Sequence, residues 1–489
     1  MTETLAQEEK VHSAETLPAS TFHTELDRIF ELQRENRYPI AKTSARERIE
    51  KLTSLLHLIY QSRGKIQDAL YADFKKPAPE VDLTELHVAT SEIKHAIKHL
   101  KRWMEPHKVK RTLAMLSSSA WIQYEARGAV LIISPWNFPF NLTMAPIISA
   151  IAAGNCIIVK PSEYSPNTSQ MMKDLVEELF PENEIAFFLG DADVSSALLK
   201  KPFDHIFFTG SPSVGKIVMK AAAEHLTTVT LELGGKSPVI IDDSANIVDA
   251  AQKVAWGKYI NNGQTCVAPD YIYVHKNVAS EFIEASKRTL QHAYGASDKE
   301  CRKSPDYARL ISDRHFTRLK RLFDDTVKMG AQVEFGGETE SGERYFAPTL
   351  LSGVSLESPA MQEEIFGPVL PILTFDSTDA VLKVIQSKPK PLALYIFSRN
   401  KKNIAHILSN TSAGSTCIND VAVQFSHLNL PFGGVNNSGF GSTHGFYGFK
   451  AFSHERSVLK QSSFSPLKYM YPPYTRRAKR FIDILLRYV

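Results

Sequence analysis

The chain reads as an α/β protein built from two doubly wound parallel sheets with a small β arm, and three observations carry that reading. From residue 128 onward, short apolar runs alternate with helical patterns: a strand at 129–133, a helix at 141–153, a strand at 156–159. The same alternation restarts at 239, just after the glycine pair Gly234 and Gly235, which marks a domain boundary. Two extended stretches, 109–126 and 451–460, lack a following helix and belong to neither series.

Taken in order, residues 1–21 are polar, aperiodic and rich in Glu, Ser and Thr, the composition of a disordered tail. Helical pattern begins near Phe22. Across 44–74, Ile49, Leu52, Leu55, Leu56 and Ile59 recur at helical spacing, until Pro77 and Pro79 break the pattern. A second long helix is predicted over 82–104, with Leu86, Ile93, Ile97 and Leu100 on one side and Pro106 at its end. The alternating region then adds a helix at 169–179 and strands at 185–189 and 205–208. Ligands of such sheets sit at the carboxyl ends of the strands. Three strand ends here carry polar, glycine or proline clusters: 134–137, 160–163 and 209–215. The second series continues through strands at 271–274, 369–375 and 394–397 and helices at 280–294 and 315–329. The 451–460 stretch pairs either with 109–126 or with the same element of another subunit. Residues 476–489 (RRAKRFIDILLRYV) form a basic amphipathic helix. Such a helix docks on its own protein, covers a pocket or lies on a membrane surface, and it is too short to span one.

A length of 489 residues exceeds one core. With 57 basic and 53 acidic residues the net charge is only +4, which points away from nucleic acid as a partner. The four cysteines form no Cys-x-x-Cys pair and have no histidine at ligand spacing, so neither a zinc site nor a disulfide framework is expected, and a reducing compartment is. The first residues do not read as a secretory signal.

The chemistry gathers around Cys266, a lone cysteine in the polar loop 261–270 (NNGQTCVAPD). A loop cysteine can present a thiolate nucleophile, although a surface thiol of no consequence would look the same. Glu232, at a strand end beside two glycines, suits a general base, with a salt-bridged strand-end carboxylate as the plainer alternative. Asn137, inside Pro135-Trp136-Asn137-Phe138-Pro139, can donate to an oxyanion or simply stiffen an aromatic turn. Gly210, Ser211 and Gly215 follow a strand and open a helix, where backbone N–H groups face an anion. Ile217 stands where a triphosphatase loop needs Ser or Thr, so that class is disfavoured. Together these residues suit attack on a carbonyl through a covalent thio-intermediate.

At these positions the sequence resembles the aldehyde dehydrogenase superfamily, across roughly residues 22–460. The motifs run in the family's order: PWNFPF at 135–140, KPSE at 160–163, FTGSPSVGK at 208–216, LELGGK at 231–236, GQTC at 263–266, EEIFGPV at 363–369 and PFGG…NSGFG at 431–441. The resemblance implies a Cys266 nucleophile, an oxyanion held by Asn137 and the Cys266 N–H, and Glu232 as the base that activates water. It implies an NAD cofactor, with NADP the alternative, contacted by Trp136, Lys160, Glu163, Gly210, Ser211, Gly215, Glu364 and Phe366, and no metal. It implies a nucleotide-binding domain (22–108 and 127–233), a catalytic domain (234–425), a β oligomerisation arm (109–126 and 450–460) and a tail helix (461–489). QTCVAPDY at 264–271, PFGGVNNSGFGSTHG at 431–445 and FSHERSV at 452–458 look most like the class 3 branch of fatty and aromatic aldehyde enzymes. Asn262 and Asn436 depart from that branch's pattern. A homodimer is implied, cytoplasmic or in peripheral membrane contact through 476–489. A cofactor-free thiol acyltransferase or thioesterase, and a non-catalytic binding protein of the same fold, are the rival readings.

Overall fold

A computed structural model describes residues 19–112, 115, 117–463, 468 and 470–488. The expected disordered tail therefore lies, up to residue 18, outside the described residues. The first helix, Ala19–Ala41, starts three residues earlier than the hydrophobic pattern suggests. The 44–74 pattern resolves into two helices, Ala45–Gln61 and Arg63–Phe74, hinged at Ser62 (φ −90°, ψ 5°). Ser44 and Glu47 close a reciprocal capping box at the first of them. Pro77 and Pro79 do not merely stop a helix. They stand at the start of the next one, where a missing N–H costs nothing. That helix runs as Ala78–Val81, a π turn at Asp82–Leu86, and His87–Met104.

The first sheet has six strands in the order Gly439–Phe440, Thr228–Leu233, His205–Gly210, Ala129–Ile133, Cys156–Lys160, Ile185–Phe187. All neighbours are parallel except Gly439–Phe440, which runs antiparallel to Thr228–Leu233. Both faces are covered. Val130 and Ile132 pack with the helices of residues 45–104, while Leu131 and Ile133 pack with Leu26 and Phe30 on the other side. This is why the strand reads as a continuous apolar run.

The second sheet has seven strands: Gln332–Phe335, Thr349–Ser352, Val369–Phe375, Tyr271–His275, Pro238–Ile241, Ala393–Phe397, Ser415–Ile418. Only Gln332–Phe335 is antiparallel. Val239 and Ile241 enter one core, Ile240 the other. The helices Ile247–Tyr259, Thr378–Ser387 and Lys401–Ser409 and the strands Gln332–Phe335, Thr349–Ser352 and Ser415–Ile418 belong to this unit and are absent from the expected series.

The two orphan stretches pair with each other in one chain. Ser118–Ala126 and Ser453–Gln461 run antiparallel over nine residue pairs. The strand covers only 118–126 of the expected 109–126, and His107–Lys108 pairs with Trp121 and Ile122 as a separate short strand. The tail helix forms over Arg476–Tyr488, burying Ala478 and exposing Phe481, Ile484 and Leu486. Among the described residues, no helix is long and apolar enough to cross a membrane.

Candidate active site

The loop bearing Cys266 is shaped by three successive left-handed residues, Asn261 (φ 53°), Asn262 (φ 54°) and Gly263 (φ 72°). Asparagine tolerates that region better than other residues carrying a Cβ. At Gly263 a Cβ would lie 2.3 Å from the Gly367 carbonyl oxygen, so the loop presses directly on the 363–369 segment. Side-chain amides hold the unusual path. Asn262 donates to the Ala308 carbonyl (2.8 Å), and Gln264 donates to Asn261 (2.9 Å) and Arg309 (3.1 Å). Asn262, which departs from the branch pattern, is thus fully buried scaffold.

Asn137 comes to the same loop. Its Nδ2 donates to the Gln264 carbonyl at 3.0 Å, and Asn261 Nδ2 returns a bond to the Asn137 carbonyl at 2.7 Å. One N–H of the Asn137 amide is therefore tethered two residues from Cys266. Cys266 itself is half-buried. Burial first, and then the carboxyls of Glu364 and Glu232, push its thiol up to about 12, while the N–H groups of Cys266 and Val267 beside the sulfur pull the other way.

Glu232 sits in the strand Thr228–Leu233, whose Leu231 and Leu233 face the opposite core. Its side chain is buried, and among the described residues neither carboxyl oxygen has a hydrogen-bond partner. Burial raises it to about 8. An orphaned buried carboxyl is costly unless the site uses it. Its cross-strand partner is Gly439 (φ 139°), where a Cβ would lie 2.0 Å from the Leu231 carbonyl oxygen. The glycine-rich 431–441 loop thus returns from the second unit to edge the strand that carries Glu232.

Glu364 lies against Gly234, where a Cβ would come within 2.4 Å of its carboxyl. Burial, then Asp270, raises it to about 8, and the Gly235 N–H opposes that rise. The segment around it is fixed by two further motif residues. Asp270 Oδ1 accepts the Ile365 N–H (2.9 Å), and Lys236 Nζ reaches the Glu363 carbonyl (2.9 Å) as well as Asp270.

At the carboxyl edge of the first sheet, Lys160 is buried and its Nζ meets Glu163 Oε2 at 2.6 Å. Gly210 ends its strand and Ser211 caps the helix Pro212–Ala223, accepting the Val214 N–H. Gly215 is buried, with room only for hydrogen against Leu233, which lets helix and strand pack closely. Trp136 and Phe366 (φ 51°) meet edge to face at 5.3 Å.

His315 joins them, 5.3 Å from Trp136, with Nε2 2.7 Å from the Phe366 carbonyl. Burial, then Arg318, drives it down to about 3, so it is neutral and donates through Nε2. His315 is invisible in the sequence, since a lone histidine three residues after a capping serine has no distinguishing pattern. A cavity of about 470 Å³ opens here, lined by Trp136, Tyr164, Ile311, Ser312, His315 and Arg318.

The chain is similar to known proteins along most of its length. A model of the aldehyde dehydrogenase family matches residues 13–458. The 4,4′-diaponeurosporen-aldehyde dehydrogenase of Staphylococcus aureus is 43% identical over 432 residues, 88% of this chain and 93% of its own. Aldehyde dehydrogenase family 3 member B1 of Rattus norvegicus is 41% identical over 447 residues, 91% of this chain and 93% of its own, in keeping with the class 3 resemblance. The solved substrate-bound structure of Staphylococcus aureus AldH is similar at a TM-score of 0.90 and 40% identity, covering 94% of this chain and 99% of its own. On this likeness along nearly its whole length, the chain belongs to the aldehyde dehydrogenase family, the NAD(P)-dependent oxidoreductases that convert aldehydes to carboxylic acids.

Proposed function

We propose that Cys266 is the nucleophile, Asn137 and the Cys266 N–H the oxyanion donors, and Glu232 the base, acting on a long-chain aliphatic or aromatic aldehyde. The observation that carries this reading is the orphaned carboxyl of Glu232, buried in the field of the Cys266 thiol. The thiol gives up its proton to solvent water as the sulfur bonds the carbonyl carbon, which leaves Glu232 free for the later step. The carbonyl oxygen becomes an oxyanion beside the tethered Asn137 amide. When bound, NAD(P) supplies the hydride acceptor, and the sulfur is left holding an acyl group. Glu232 then takes a proton from water as that water attacks the thioester, breaking the carbon–sulfur bond and releasing the acid.

The residues of the cleft fit a dinucleotide. Gly210 and Ser211 open a helix N-terminus toward the cleft, and the Lys160–Glu163 pair stands at a neighbouring strand end. Glu364 and Phe366 suit the nicotinamide ribose and ring. The Glu163 carboxylate would repel a 2′-phosphate, which supports NAD over NADP. An apolar substrate is supported by Val267, Phe425 and Phe432, which pack in one cluster with Cys266, and by the relative named for a diaponeurosporen aldehyde.

The nucleotide-binding and catalytic roles follow the two sheets, with the division at residues 233–234. Ser453–Gln461 is a largely exposed edge strand, which supports pairing with a second copy in a homodimer. The tail helix carries Arg476, Arg477, Lys479, Arg480 and Arg487 against one acid, Asp483, beside exposed Phe481, Ile484 and Leu486. That supports peripheral contact with an anionic membrane on the cytoplasmic side.

The test is the near-ultraviolet absorbance of reduced nicotinamide, with NAD or NADP and aldehydes of graded chain length. The expected result is turnover that rises with chain length and vanishes in Cys266→Ala. Turnover persisting in that variant contradicts the mechanism, and a preference for short aldehydes contradicts the substrate class.

A further inference from the structure

The stretch 76–86 lies outside all seven family motifs, yet it touches both loops of the candidate active site. Lys76 and Glu85 are fully buried and paired, Nζ to Oε1, at 2.8 Å. A buried pair seldom adds net stability, so its presence asks for another account. Glu85 Oε2 accepts the Asn141 N–H at 2.8 Å, pinning the start of the helix Asn141–Ala153, four residues after Asn137. Lys76 Nζ stands 4.0 Å over the ring of Phe138, the residue next to Asn137. On the other loop, Glu80 Oε1 accepts the Asn261 N–H at 2.7 Å, at the first of the three left-handed residues before Cys266. Asn261 then bridges back to Asn137. The circuit closes through one short piece of chain.

The backbone makes this geometry available. In a regular α-helix, residues five apart diverge by about 140° around the axis. The π turn at Asp82–Leu86 widens the helix, so that residues five apart fall about one turn apart. Glu80 and Glu85 can then serve neighbouring loops from one element. Such π turns recur at functional sites.

We propose that Lys76, Glu80 and Glu85 are positioning residues for aldehyde oxidation, clamping the nucleophile loop and the Asn137 loop at a fixed separation. The proposal rests on the roles assigned above to Cys266 and Asn137. A left-handed run of this kind persists only where its surroundings over-determine it, and the Glu80 bond supplies part of that constraint.

Glu80→Leu is the variant of choice, because Glu80 is half-buried and leucine removes the acceptor of the Asn261 N–H while filling similar space. The expected result is a kcat for aldehyde oxidation reduced by roughly 10- to 100-fold, with the KM for NAD unchanged. Asn261→Gly keeps the N–H and the left-handed backbone, removes the bridge to Asn137, and is expected to show the same split. In an Asn137→Ala background, Glu80→Leu is expected to add less than about twofold, because both act through one geometry. Parental kcat in Glu80→Leu and Asn261→Gly, or full additivity with Asn137→Ala, overturns the positioning role. An active Cys266→Ala overturns instead the catalytic reading beneath it.

Discussion

At the scale of single residues, the unpaired carboxyl of Glu232 makes a prediction of its own. Its ordinary value of 4.5 rises to about 8 in the folded protein. Between those values the folded state keeps a proton that the unfolded chain has released, so stability falls as pH rises across that window. Glu232→Gln is therefore expected to raise the melting temperature relative to the parent above neutral pH, with the gap closing toward pH 4.5. Parallel melting curves at all pH values would contradict the buried, unpaired state. The same carboxyl must ionise to act as base, so kcat of the parent is expected to climb with pH through about 8. His205 works in the opposite sense. Burial lowers it from 6.5 to about 3, so its share of stability is present at neutral pH and is lost as pH falls through that range.

Elements explain what the sequence could and could not disclose. Asn137 and Glu163 lie in loops after strands, Lys160 closes its strand and Cys266 lies in the loop before Tyr271–His275, where alternation of apolar runs already locates them. The glycine-rich 431–441 loop is legible as a motif but not as a purpose. Its partner strand lies about two hundred residues earlier, and no local pattern encodes that pairing. Lys76, Glu80 and Glu85 escape for a related reason, since the π turn that aligns them has no recognisable sequence code.

Glycine substitutions separate these cases. At Gly263 and Gly439, positive φ and a backbone oxygen within 2.3 Å of any Cβ make alanine destabilising by about 1–3 kcal/mol, with loss of turnover. Gly64 lies in a helix with nothing within 4 Å of a Cβ, so Gly64→Ala is expected to stabilise by roughly 0.5–1 kcal/mol. Denaturant titration of the three variants checks the ordering, and equal effects would refute it.

For the whole molecule, the arm and the tail lie outside the two sheet units. Ser118–Ala126 and Ser453–Gln461 join residues more than three hundred positions apart, so the arm forms only after both units have been connected. The sequence leaves open whether these strands meet within or between subunits, because complementarity of two short strands does not specify which copy supplies them. Truncation before residue 476 is expected to abolish binding to anionic vesicles and to lower turnover of long-chain aldehydes relative to short ones. Unchanged vesicle binding and an unchanged ratio would show that the tail serves neither role.

The proposed chemistry of the whole enzyme turns on a covalent acyl group on Cys266 that Glu232 would release. Intact-protein and peptide mass spectrometry of Glu232→Gln, mixed with NAD and a long-chain aldehyde, can detect that group. The variant is expected to accumulate the acyl mass on the peptide containing Cys266, with one reduced nicotinamide formed per site. An unmodified Cys266 peptide alongside continued acid production would rule the covalent route out.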